Sequence, residues 1–265
     1  MKISMFHVDA FTDRLFSGNP AAVCFLDHWL DDQTMLAIAA ENNVSETAFC
    51  VREAERHQLR WFAPASEVQL CGHATLATAF VLLKILHPGT HEVEFETCSG
   101  ILRVEQDGKC LAMDFPAIPA TPCEAPPELL KGLTPTPRVV LQSGETTADR
   151  NYFVVYEKEE DVRNARPDFA LLERLHPAGV CITAPGREVD VVSRYFAPSY
   201  GIPEDPVTGS THCTLALYWA ERLGREVLRA RQISHRGGSL VMEARGKRVR
   251  LSGTAVLYLR GEVQL

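Results

Sequence analysis

The sequence has no basic excess: Lys and Arg number 27 against 34 Asp and Glu, a net charge of −7, which excludes a broad cationic surface for nucleic acid or anionic lipid. It has no Cys-x-x-Cys pair. Its eight cysteines stand at 24, 50, 71, 98, 110, 123, 181 and 213, leaving a zinc ribbon or thioredoxin-type site unsupported and marking reduced, mostly buried thiols. No apolar run reaches membrane-spanning length; the longest, Ala74 to Leu86, is broken by Thr75, Thr78 and Lys84. The first residues reach Asp9 before any stretch long enough for a signal peptide, so a cytoplasmic location is expected. There is no P-loop or dinucleotide fingerprint, and Arg236-Gly237-Gly238-Ser239 reads as a hairpin turn, so no nucleotide cofactor is implied. His87 and His91 have the spacing of a helical metal pair, but Pro88-Gly89 between them forbids the helix, and no metal is expected.

What is present is an ordinary globular composition, 46% hydrophobic and 23% charged over 265 residues, enough chain for one large domain or two modest ones. Short strands dominate: Ile3 to Ala10, Thr47 to Val51, Gln58 to Phe62, Glu92 to Thr97, Leu111 to Phe115, Asn151 to Val155, Val180 to Thr183, Val189 to Phe196, Leu240 to Glu243, Val249 to Leu251 and Thr254 to Leu259. Helices are expected at Asp32 to Glu41, Asp168 to Leu175 and Ala74 to Leu86, the last apolar on every face and so enclosed by other elements. The class is α+β, rich in strand.

Seven prolines between 116 and 137 break both periodicities, and this stretch is read as a linker between lobes at 1–115 and 138–265. The halves repeat each other. Arg60-Trp61-Phe62-Ala63-Pro64 returns as Arg194-Tyr195-Phe196-Ala197-Pro198, and His73-Ala74-Thr75-Leu76-Ala77 as His212-Cys213-Thr214-Leu215-Ala216, with five residues inserted between the matches in the second half. Two related lobes are expected to bind their ligand in the cleft between them. The loops before the two buried helices would offer backbone N–H groups at Gly72-His73 and Gly209-Ser210, which suits a small anion; glycines that merely permit tight turns are the alternative.

Glu46, in Ser45-Glu46-Thr47-Ala48-Phe49, stands at the mouth of an apolar strand, where desolvation would fit a carboxyl to take and return a proton; a strand-end salt bridge is the plainer reading. Asp205 precedes Pro206 and Gly209 in a loop that would expose it, though acidic residues also simply form turns. His73 at a helix start would be a neutral donor or relay, or a structural histidine. Cys71 beside it is a candidate thiol acid or base.

The ordered segments His7-Val8-Asp9-Ala10-Phe11-Thr12, Gly18-Asn19-Pro20-Ala21-Ala22-Val23, Ser45-Glu46-Thr47-Ala48-Phe49, Cys71-Gly72-His73-Ala74-Thr75 and Asp205-Pro206-Val207-Thr208-Gly209-Ser210 resemble those of the PhzF-like family, which shares the diaminopimelate epimerase fold. The resemblance implies two pseudo-symmetric lobes, each a strand-rich barrel around a central helix, with the last strand able to cross back to the first lobe. It implies a cofactor-independent isomerase acting on a small carboxylic acid, with Glu46 moving the proton and Asp205 and His73 as catalytic partners. Ser45, Gly72, Gly209, Ser210 and Asn19 would hold the substrate. Family members often pair, so a homodimer is compatible. The thiol pair of diaminopimelate epimerase is not reproduced, since the second half carries Asp205 and Ser210 where a second cysteine would be needed. A thiol-assisted epimerase using Cys71 and a non-catalytic acid-binding protein are the competing readings.

Overall fold

Two units make up the chain in the computed structural model, which describes residues 1–53, 56–144 and 150–265: Met1–Phe115 with Leu251–Leu265, and Pro116–Arg250. The fold is α+β and rich in strand. Among the described residues no helix is long and apolar enough to cross a membrane.

The first unit runs β1 (Lys2–Ala10), β2 (Asn19–Leu26), α1 (Asp32–Asn42), β3 (Glu46–Glu53), β4 (Arg56–Ala63), β5 (Ser66–Val68), α2 (Gly72–Phe80), β6 (Glu92–Thr97), β7 (Gly100–Asp107) and β8 (Cys110–Pro116). The second contains β9 (Ala120–Pro122), α3 (Pro127–Gly132), β10 (Leu133–Thr134), β11 (Val139–Ser143), β12 (Asn151–Val155), α4 (Glu159–Arg163), β13 (Arg166–Pro167), α5 (Phe169–Leu172), β14 (Gly179–Pro185), β15 (Val191–Ala197), β16 (Ile202–Asp205), α6 (Gly209–Leu223), β17 (Val227–Gln232) and β18 (Gly238–Arg245). After β19 (Arg248–Gly253), β20 (Ala255–Gln264) returns to the first unit and pairs antiparallel with β1.

The same pairing series occurs within each unit. β1 and β2 are antiparallel, β2 is parallel to β3, β3 antiparallel to β4, β4 antiparallel to β5 and parallel to β6, and β6 antiparallel to β7. β11, β12, β14, β15, β16, β17 and β18 repeat those relations in the same order. The parallel steps need crossovers, supplied by α1 and α2 in one unit and by α4, α5 and α6 in the other.

α2 packs against β1, β2, β3 and β20, and every residue from His73 to Ala79 is buried. Its buried hydroxyls are absorbed locally: Thr75 Oγ1 donates to the Cys71 carbonyl at 2.6 Å and Thr78 Oγ1 to that of Ala74 at 2.8 Å. Beyond Phe80 the helix widens into a π-turn over Val81–Leu86, where the His87 N–H reaches the Leu82 carbonyl at 2.8 Å. In the second unit Trp219 of α6 is fully buried and donates to Thr183 Oγ1 at 3.0 Å.

Two sequence expectations need correction. Residues 116–137 are not a linker: they form β9, α3 and β10, with Leu129 and Leu133 in the core of the second unit. The prolines fall where folding tolerates them, Pro127 opening α3 and Pro116 and Pro122 ending β8 and β9. The second pentapeptide match is also out of register. Equal spacing separates Glu67 from Glu204 and the helix starts Gly72 from Gly209, so Ser210, not His212, occupies the place of His73, and the second loop is three residues longer rather than five.

Those glutamates belong to a clasp built twice. Arg60 grips Glu67 through Nε and Nη2, both at 2.7 Å, with its guanidinium centre 5.1 Å from the Phe62 ring. Arg194 grips Glu204 at 2.7 and 3.0 Å, lies 4.9 Å from the Phe196 ring and also donates to the carbonyls of Val162 and Ala165. The second clasp is drier, its side chains 14% and 20% exposed against 25% and 31% in the first. Arg194→Leu should therefore cost about 3 kcal/mol, because it strands a half-buried carboxylate and two carbonyls, whereas Arg60→Leu should cost about 1 kcal/mol. Urea unfolding of the two variants checks the order; equal losses would show that solvent screens both clasps alike.

Candidate active site

Asn19, Ser45, Glu46, Cys71 and His73 come together in the first unit. The hairpin from β1 to β2 closes through Gly18 at φ +70, where a Cβ would stand 2.2 Å from the Ala10 carbonyl oxygen, so only glycine delivers the chain into β2 with Asn19 fully buried. Asn43, left-handed at φ 49, ends α1, and its N–H bonds to the Ala39 carbonyl at 3.1 Å. Asn42 Nδ2 then donates to Thr47 Oγ1 at 3.1 Å, which seats the start of β3. Because β2 and β3 are parallel with Ala21 opposite Glu46, the strands start at the same end, close to the first turn of α2.

His73 is the hub. Its Nδ1 faces Asn19 Nδ2 at 3.3 Å and Cys71 Sγ at 3.5 Å, while its Nε2 stands 3.2 Å from Glu46 Oε2. That last pair has the separation of a hydrogen bond without its alignment. Burial holds His73 neutral, its pKa lowered to about 3. Ser45 Oγ donates to Asn19 Oδ1 at 3.2 Å, an arrangement that turns the amide NH2 toward Nδ1. A donor facing Nδ1 makes it the acceptor of the ring, so the ring proton sits on Nε2, facing Glu46.

Ligand atoms of Glu46, Cys71 and His73 lie within 4.8 Å of one another. Cys71 approaches the ring at Nδ1 and Glu46 at Nε2, so the two flank the imidazole, and a metal would have to draw both to one nitrogen. The order of groups suits passing a proton along the ring. Gly72 opens α2, whose N-cap residue, Cys71, makes no side-chain cap.

The second unit assembles Asp205, Thr208, Gly209 and Ser210 at the start of α6. Asp205 is buried, and its Oδ2 accepts a hydrogen bond from Thr208 Oγ1. Thr208 is the N-cap of α6, but its hydroxyl is spent on Asp205 and does not cap the helix. Ser210 is exposed in the first turn. His212 lies deeper: its Nδ1 is 2.6 Å from the Thr208 carbonyl and so carries the proton, leaving Nε2 to accept from Ser193 Oγ at 3.3 Å. It too is kept neutral by burial, its pKa lowered to about 4.

Sequence reasoning missed Gln232, which is fully buried and bonded to both Asp205 and Thr208. A signal was available. In Val227-Leu228-Arg229-Ala230-Arg231-Gln232 the strand alternates, and the glutamine shares the inward parity of Leu228 and Ala230.

The model of the family described as phenazine biosynthesis-like protein matches residues 8–261. A Pseudomonas aeruginosa protein named as an uncharacterized isomerase is 49% identical over 265 residues, with 100% of each chain covered. The crystal structure of a phenazine biosynthesis protein of the PhzF family from Enterococcus faecalis aligns with a TM-score of 0.94 at 42% identity, again over 100% of both chains. A probable proline racemase from Agrobacterium radiobacter shares the fold alone, with a TM-score of 0.66 at 12% identity over 99% of this chain and 93% of that one. On the strength of the full-length match and of these relatives, the chain belongs to the phenazine biosynthesis-like protein family.

Proposed function

We propose that the chain is an isomerase that moves a carbon-bound proton from one position to another on a small carboxylic acid, with Glu46 taking and returning the proton. The observation that carries this reading is the Ser45–Asn19–His73–Glu46 series, which directs a neutral imidazole N–H toward one carboxylate in a nearly dry setting. A proton shift leaves the oxidation state of the molecule unchanged, so a base and a means of steadying the transient anion suffice. Glu46 supplies the first. His73 steadies the carboxylate and, by following it into alignment, keeps its proton directed at the reacting carbon. The uncapped starts of α2 and α6, at Gly72 and at Gly209 and Ser210, are suited to the substrate carboxylate, and Asp205 serves as the second acidic group. The names of the relatives, isomerase among them, agree with this class of reaction.

A thiol-assisted epimerase is less well supported. Cys71 is the N-cap of α2, and the N-cap of α6 is Thr208, a hydroxyl already engaged by Asp205, so the second unit offers no matching sulfur there.

Incubated with a metabolite extract in D2O, the wild type should label or isomerise a carboxylic acid, and Glu46→Gln should lose about 100-fold or more of that turnover while folding normally. Mass spectrometry reads it; an active Glu46→Gln protein would end the mechanism. Cys71→Ala should retain most activity, and its inactivity in a folded protein would restore the thiol reading.

The imidazole arrangement has its own check. 15N NMR of the His73 ring should show an unprotonated Nδ1, and Asn19→Asp, which presents an acceptor there, should move the proton to Nδ1 and depress turnover about 100-fold. A protonated Nδ1 in the wild type contradicts the series.

Both buried histidines also set an acid limit. Their folded pKa values lie below the ordinary 6.5, so the unfolded chain binds protons first, and stability present above pH 6.5 is lost as pH falls through the window toward about 4 and about 3. Urea midpoints should already drop between pH 7 and pH 5, above the usual carboxylate range; an unchanged midpoint would mean the imidazoles become solvated.

A further inference from the structure

We propose that Gln232 is the positioning residue for Asp205, orienting its carboxylate through Thr208; this rests on the reading of Asp205 as part of the substrate site. Gln232 is the last residue of β17 and has no exposed surface. Its Nε2 donates to the Asp205 carbonyl at 2.7 Å and to Thr208 Oγ1 at 3.3 Å, and its Oε1 accepts the Thr208 N–H at 2.9 Å. One carboxamide thus spans the loop from Asp205 to Thr208. Pro206, which has no N–H, is tied from the other side, its carbonyl accepting from Ser234 Oγ at 2.7 Å.

The bond to Thr208 Oγ1 is the telling one. A staple that only fixed the loop would need just the two backbone bonds. By filling a lone pair of the hydroxyl oxygen, the amide leaves the hydroxyl hydrogen to point elsewhere, and it points to Asp205 Oδ2. The remaining polar atom of Thr208, its carbonyl, accepts from His212 Nδ1 and from Thr211 Oγ1 at 3.0 Å. Every polar group of Thr208 is therefore committed, and the hydroxyl cannot swing back to cap α6 without breaking the arrangement. Gln232 both aims the Asp205 carboxylate and keeps the first turn of α6 uncapped.

The test compares Gln232→Met, which removes all three bonds in a side chain of similar length, with Thr183→Val, which removes an equally buried polar group of β14 that touches none of these residues. Hydrogen–deuterium exchange over 205–210 should rise about tenfold in Gln232→Met and stay at the wild-type level in Thr183→Val. Glu46-dependent labelling of carboxylic acids from the extract in D2O should fall about 100-fold in Gln232→Met and change little in Thr183→Val, with the two melting temperatures matched by choice of assay temperature. Gln232→Glu keeps the acceptor for the Thr208 N–H and loses both donor bonds; it should show the same loss of labelling and serves if Gln232→Met does not fold. Unchanged exchange over 205–210 in Gln232→Met, or a labelling loss equal to that of Thr183→Val, would overturn the proposal. If the wild type labels and isomerises nothing, the reading of the reaction fails instead, and the exchange comparison alone decides whether Gln232 holds the loop.

Discussion

A helix with no wet face is the constraint from which the first unit's chemistry follows. From His73 to Ala79 each residue of α2 is buried, so any polar group on it must find its partner inside the protein. Thr75 and Thr78 do so by bonding back to the helix's own carbonyls. His73 does not: its two nitrogens face Asn19 and Cys71 on one side and Glu46 on the other, and a charged ring in that setting would be too costly to keep. His73 is consequently neutral and needs a donor on one side and an acceptor on the other. Asn19 from β2 and Glu46 from β3 supply them, each placed by the parallel pairing of those strands. Packing and protonation are one arrangement here: the enclosure that stabilises the unit also fixes the proton on the nitrogen that faces the carboxylate.

Much of this could be read in the sequence, and the failures have physical causes. Glu46, His73, Cys71, Asn19 and Ser45 were all found in short segments, and the structure gathers them within a few ångströms. The enclosed helix was evident from apolar residues on all faces, and most strands from alternation. Proline density misled, because a proline at a helix start or strand end costs no hydrogen bond, and composition alone does not reveal which position it holds. The pentapeptide beginning at His73 misled for another reason. Two buried helices built from similar small residues can match in letters at one offset while their ends and the adjoining arginine clasps align at another. Gln232 escaped because a single polar residue on the inward side of a strand announces burial but not its partner, which comes from a loop more than twenty residues earlier in the chain.

The repeat is most informative where the two units differ. In the first, β3 pairs Thr47 with Phe62; in the second, β14 pairs Val180 with Phe196, the clasp phenylalanines fixing the correspondence. The residues just before are Glu46 and Gly179. At Gly179 even a Cβ would stand 2.1 Å from the Tyr195 hydroxyl oxygen, and that hydroxyl bonds to Asn151, the first residue of β12 as Asn19 is the first of β2. Burial pushes the Tyr195 phenol well above its ordinary range, so it remains a neutral donor. The second unit's acid lies elsewhere. Asp205 is opposite Tyr195 on β16, where the first unit has Val68 opposite Trp61 on β5. The two carboxyls thus occupy different places on otherwise equivalent scaffolds, Glu46 opening β3 in the first unit and Asp205 ending β16 in the second. The difference is built into the packing: at Gly179, the position that corresponds to Glu46, any side chain would require the Tyr195 ring to shift.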